Sequence, residues 1–197
     1  MKNHLYTLLL LLPLLSTAQG DTSKKGLGLV PKADVLLPII SAIRGNNTTY
    51  LGFSLEKEIG RHSSLQLTYQ HYADNIRGSY QQKFWNFYQS QILPEYRYYL
   101  NGHTGFYIGA HGDLLYSENV TNDDIVNANK SIIYTYATNF AMGINAGYRY
   151  MYKRIVVDLL LGDSWLVGPP NSYVRYDWIN LPGNQMGRVS VNIGYRF

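Results

Sequence analysis

The chain has no cysteine among its 197 residues, which excludes disulfide staples, thiolate metal clusters, a cysteine nucleophile and a lipidated N-terminal cysteine. Charge is also scarce, with 15% charged residues against 46% hydrophobic ones. The 17 basic and 13 acidic side chains are scattered, giving a formal charge of +4 without a Lys/Arg block. That pattern carries no nucleic-acid footprint. With 14% aromatic residues the composition is too apolar for a disordered chain. Beyond residue 15 no apolar run approaches the roughly 20 residues that a membrane helix needs. The 18 glycines lie singly, so no phosphate-cradling loop is written here.

What is present begins with Lys2, an apolar run over residues 5–15 and the small residues Ser16, Thr17 and Ala18. This is the layout of a cleavable export signal. Cleavage is expected after Ala18, leaving a polar leader over 19–28 and a single domain over 29–197. An uncleaved anchor would need a longer apolar run than this one.

The mature part alternates with period two. Leu51, Phe53 and Leu55 interleave with Gly52, Ser54 and Glu56; Leu65, Leu67 and Tyr69 with Gln66, Thr68 and Gln70. The same rhythm returns around residues 92–100, 106–111, 139–150, 154–161 and 188–197, with a weaker copy in Val35, Leu37 and Ile39. Strict alternation marks strands, because successive side chains point to opposite faces. Eight such segments are expected, an even number. Their connections alternate between short ones (57–62, Asn101–Gly102–His103–Thr104, and little beyond Met151–Tyr152) and long ones (73 to about 88, 117 to about 134, 162 to about 186). Short turns at one end and long loops at the other are the layout of a transmembrane barrel. The fold class expected is therefore all-β, an eight-stranded antiparallel up-and-down transmembrane barrel.

In such a barrel the apolar face meets lipid and the polar face fills the lumen, the inverse of a soluble barrel. Glycine on the polar face (Gly52, Gly109, Gly143, Gly147, Gly194) suits a crowded interior. Tyr96, Tyr98, Tyr99, Tyr148, Tyr150, Tyr152 and Tyr195 gather at strand ends, where an aromatic girdle would stand. The last strand stops at Tyr195-Arg196-Phe197, and this ending resembles the assembly signal of outer-membrane barrels. The run Pro94-Glu95-Tyr96-Arg97-Tyr98-Tyr99-Leu100, then Asn101-Gly102 and Gly105-Phe106-Tyr107-Ile108-Gly109, resembles the central hairpin of a family of small outer-membrane barrels of unknown function. Its architecture is similar to the OmpA, OmpX and OmpW type. The resemblance spans about residues 29–197 and departs from the pattern at the first strand, where Pro31 and Pro38 blur it. It implies a Gram-negative outer membrane, contact with its lipid, and delivery to barrel-assembly machinery through Tyr195 and Phe197.

The polar face points Glu95, Arg97, Arg149, Arg154, Asp158, Arg188 and Arg196 into the lumen. A narrow interior cannot hold them unpaired, so a structural ion network is expected. An anion filter is the alternative use of the same residues. His111-x-Asp113 with Ser117 nearby, and His71-x-x-Asp74, lie near outer strand ends without a nucleophile–base–orienter spacing. His62 and His103 fall in turns. Asp113, Glu118, Asp123 and Asp124 form no calcium-loop pattern. No catalytic residue, cofactor site or metal site is expected. Two aromatic groups, Phe84, Trp85, Phe87 and Tyr88, and Trp165, Tyr173, Tyr176 and Trp178, suit membrane anchoring or an unidentified partner at the outer loops. The function read here is a non-enzymatic barrel with a filled lumen. The alternatives are a secreted lipocalin-like carrier of an apolar ligand, a small outer-membrane enzyme, or a narrow porin-like channel.

Overall fold

A computed structural model describes residues 28–44, 48–77, 84–123, 131–167 and 185–197. Eight strands close into one antiparallel barrel in chain order: β1 (Leu29–Asp34), β2 (Thr48–Glu58), β3 (Ser63–Arg77), β4 (Phe84–Asn101), β5 (Thr104–Asp123), β6 (Ser131–Tyr152), β7 (Ile155–Leu166) and β8 (Gln185–Tyr195). A helix, α1 (Leu36–Arg44), separates β1 from β2. The expected export signal and most of the leader lie outside the described residues.

Turns at the periplasmic end are tight. Gly102 and Gly105 take φ of +67° and +79°, a conformation glycine adopts without steric cost. Lys153, at φ 56°, turns β6 into β7. His62 and His103 are tied down in these turns. The His62 Nδ1 atom accepts the Gly102 N–H at 3.2 Å, and His103 Nε2 lies 2.6 Å from the Gly60 carbonyl.

At the other end the strands run much further than the alternation foretold. β6 has 22 residues, and a tilted strand of that length rises about 55 Å. The apolar band of an outer-membrane barrel is only about 25 Å tall. Much of what was expected as long loops is strand, including Ala73, Asp74, Phe87, Tyr88, Ser117 and Asn119. Above the lipid both faces of the wall meet polar surroundings, so the ladder continues after the hydrophobic rhythm has stopped.

The first strand is also corrected. Val35, Leu37 and Ile39 do not form it, because β1 precedes them and α1 takes Leu37 and Ile39. Pro38 has no N–H for a central strand but is tolerated in a helix's first turn, whose N–H groups have no intrahelical acceptor. The Asp34 carboxylate accepts the Leu36 N–H at 3.0 Å and caps the helix. α1 is apolar on two sides. Leu37 packs on the lumen residues Tyr50, Tyr72 and Phe87, while Ile39 and Ile43 are exposed on the opposite side. The wall here is a seam: β1 meets β8 over Lys32–Gly194, Ala33–Ile193 and Asp34–Asn192, and above this α1 occupies the position of a strand.

Candidate functional site

The lumen of the barrel is the candidate site, and it is built by alternation. Along β4 the inward residues are Glu95, Arg97 and Tyr99, and the outward ones Tyr96, Tyr98 and Leu100. Tyr99 therefore belongs to the interior rather than to the girdle, and it is wholly buried. Gly109, Gly143, Gly147 and Gly194 also face inward, each backed against a lumen side chain. A Cβ on Gly147 would overlap the Tyr107 ring and the Leu159 carbonyl.

In the periplasmic half, Lys32, Glu56, Arg97, Arg149 and Asp158 converge with no solvent-accessible side-chain surface. Lys32 Nζ donates to Glu56 and to Asp158, each at 2.6 Å. Arg97 Nη1 donates to Asp158 at 2.5 Å, and its Nε to Glu95. Arg149 donates to Glu56, and its Nη2 lies 3.5 Å from Asp158. The Tyr99 hydroxyl donates to Glu56 at 2.8 Å. Register explains the meeting: Arg149 stands directly opposite Asp158, and Gln66 and His111 flank Glu95 on the neighbouring strands. Arg188 completes the cluster, donating to Glu95 at 3.0 Å.

Counted together, Lys32, Arg97, Arg149 and Arg188 face Glu56, Glu95 and Asp158, leaving one positive charge in excess. Aromatic faces take up part of it. The Arg97 guanidinium lies 4.5 Å from the Tyr107 ring centre and that of Arg149 lies 4.6 Å from Tyr99. Arg149 Nε and Nη1 have no hydrogen-bond acceptor, and the ring face stands in for one. The two tyrosines pack on each other at 5.1 Å, so cations and rings form one closed layer across the lumen.

Two arginines expected in the lumen are elsewhere. Arg154 lies exposed in the β6–β7 turn, within 3.3 Å of the Tyr195 hydroxyl, because the two-residue turn consumes its position before β7 starts. Arg196 sits at the periplasmic rim, paired with Glu58 at 2.7 Å and 39% exposed. Two residues that sequence reasoning passed over are central. Glu56 continues the polar face of Gly52 and Ser54, a signal that was available. Lys32 lies in the six-residue strand that Pro31 obscures.

Above the ionic layer, His111 Nε2 and Ser164 Oγ are 2.8 Å apart, and Ser164 donates to Asp113 at 2.8 Å. The serine that His111 meets is thus Ser164 and not Ser117. His71 stands 3.0 Å from Ser90 on the outer side of β3, whereas Asp74 faces inward, so these two do not converge. Phe87 belongs to the lumen cluster with Tyr72 and Leu37, not to a loop surface. Trp165 is on the outer face of β7. The side chains of Phe84 and Trp85, and residues Tyr173, Tyr176 and Trp178, lie outside what is described. Among the described residues no group of His, Asp and Glu could hold a metal ion.

The outer face carries Leu51, Leu67, Ile108, Ile144 and Leu161, all exposed. Tyr96, Tyr98, Tyr148, Tyr150 and Tyr195 border this band at the periplasmic end, and Tyr116, Tyr134 and Tyr136 stand above it. An apolar exterior round a charged interior inverts the soluble carrier and excludes the lipocalin-like alternative. The fold and this two-faced wall define a transmembrane barrel of the outer-membrane type.

Solved structures share that fold. Ail, the attachment invasion locus protein of Yersinia pestis, matches at TM-score 0.53 and 10% identity, covering 86% of this chain and 95% of that one. Ail in complex with the heparin analogue sucrose octasulfate matches at 0.50, with the same identity and coverage. Neisserial surface protein A gives 0.48 at 12% identity, over 86% of this chain and 97% of its own. No protein-family model matches the chain, and no curated protein matches it in sequence.

Proposed function

We propose that this protein is a non-enzymatic barrel of a Gram-negative outer membrane, exported by its first 18 residues, with a closed lumen and a binding surface at its outer end. The observation that carries this reading is the ionic layer. Its side chains are fully buried and span β1, β2, β4, β6 and β7, so each is held from several walls at once. An ion crossing it would have to break buried pairs, each costly to leave half-made. The order of the groups speaks against acyl transfer. Ser164 lies between His111 and Asp113 at 2.8 Å from each, so the acid meets the serine and does not orient the histidine from its far ring nitrogen. Function on so rigid a frame falls to what the long strands raise above the membrane. Ail was solved in complex with a heparin analogue, so a barrel of this fold holds a ligand in at least one case. Assembly through Tyr195 and Phe197 fits their place: the rings pack at 4.9 Å, and Phe197 N–H donates to the Leu29 carbonyl at the seam. The test is conductance. Purified protein in planar bilayers is expected to give no steady single-channel current, and large steady currents would overturn the closed lumen.

A further inference from the structure

One carboxylate is on the wrong side of the wall. Along β7, Leu160 and Ser164 are buried in the lumen, so Leu161, Asp163 and Trp165 point outward. Asp163 stands eight residues above Ile155 in the register of β7, about 20 Å up a tilted strand. That puts it near the upper edge of the apolar band, just below Trp165. Its Oδ1 atom is buried without a hydrogen-bond partner. An ionisable group on the lipid side is costly and calls for a partner.

The wall beside it is hollow. A groove of about 730 Å³ crosses β4 to β7, with Asp163 at one end and Tyr98 at the other. Two ladder rows bound it. The upper row runs Asp163–Ile144–Ala110–Tyr96 and the lower Leu161–Ala146–Ile108–Tyr98. The hollow lies where Ala110 and Ala146 replace large side chains, and Gly109 and Gly162 form its floor. Three strand spacings make it about 14 Å long, enough for most of an acyl chain.

We propose that this groove binds a phospholipid whose head carries an ammonium group, the cation resting on Asp163 and one acyl chain lying along the groove toward Tyr98. Charge selects the head. A purely anionic phospholipid meets the Asp163 carboxylate with like charge. The proposal does not depend on whether the lumen conducts.

The test takes full-length protein from vesicles of equal phosphatidylethanolamine and phosphatidylglycerol and weighs retained lipid by native mass spectrometry. Wild type is expected to keep phosphatidylethanolamine in about fivefold preference. Asp163→Asn should bring the two lipids to parity, Asp163→Glu should keep the preference, and Ala146→Phe should lose both lipids by filling the groove. Heat-shifted migration on a gel identifies folded variants. Equal retention by wild type, or an unchanged preference in Asp163→Asn, would overturn the site. A wild-type dimer that dissociates in Asp163→Asn would give Asp163 to a protein cation and overturn it too.

Discussion

The two sides of this barrel are closed by different means. From β3 to β6 the strands have 15 to 22 residues and pair along nearly their whole length. At the seam, β1 has six residues and shares only three rungs with β8, then yields to a helix. Continuous backbone ladders run the length of the long wall. The seam has fewer rungs, and what it has in their place is Lys32, which reaches Glu56 on β2 and Asp158 on β7 from the short strand between. The same charges that block the lumen therefore fasten its weakest joint. In lipid this matters more than in water, because an open sheet edge has no solvent to satisfy it.

The sharpest way to break that comparison is Asp158→Ala. It strips a buried acid from Lys32, Arg97 and Arg149 together, and losing one partner of a buried pair costs about 3–5 kcal/mol. A denaturant titration in vesicles should show the loss. Hydrogen exchange should show where it falls, with β1 and β8 exchanging earlier while β5 and β6 stay protected. Uniform loss of protection would mean that the charges serve the whole wall alike. Gly147→Ala comes next. It forces a methyl group onto Tyr107 and the Leu159 carbonyl, an overpacking worth about 1–3 kcal/mol that should appear in the same titration on the long-wall side. Asp34→Ala removes the cap of α1; about 1 kcal/mol is expected, with faster exchange confined to the helix. Smallest is Glu58→Ala, which frees the half-exposed Arg196 and should cost under about 1 kcal/mol, fading in high salt.

The same contrast explains what could be read from residues alone. On the long wall one face meets lipid and the other a crowded lumen, so Leu65 and Leu67 against Gln66 and Thr68 spell out a strand. Glu95, Arg97, Arg149 and Asp158 followed from that rhythm. At the seam the rhythm is silent. Leu36, Leu37, Ile39 and Ile40 are apolar because α1 faces an aromatic lumen cluster on one side and is exposed on the other, and an all-apolar stretch has no period to count. Pro38 was the better guide, being acceptable in a helix's first turn and not in a central strand. Lys32 was hidden for a related reason, since Pro31 interrupts the only six residues that could have shown its face. The outer strand extensions were missed because their sides are alike in polarity, and Ser164 because only the ladder brings it to His111.

The central claim is that Glu56, the acid shared by Lys32, Arg97, Arg149 and the Tyr99 hydroxyl, fastens both lumen and seam. Glu56→Gln keeps its size and removes its charge, and Glu58→Gln makes the same change two residues away at the rim. The direct measurement is the denaturant midpoint of these two variants against wild type in the same vesicles. The account predicts that Glu56→Gln unfolds at clearly lower denaturant, a loss of several kcal/mol (~3 or more), while Glu58→Gln stays close to wild type. Equal midpoints for both variants would contradict it.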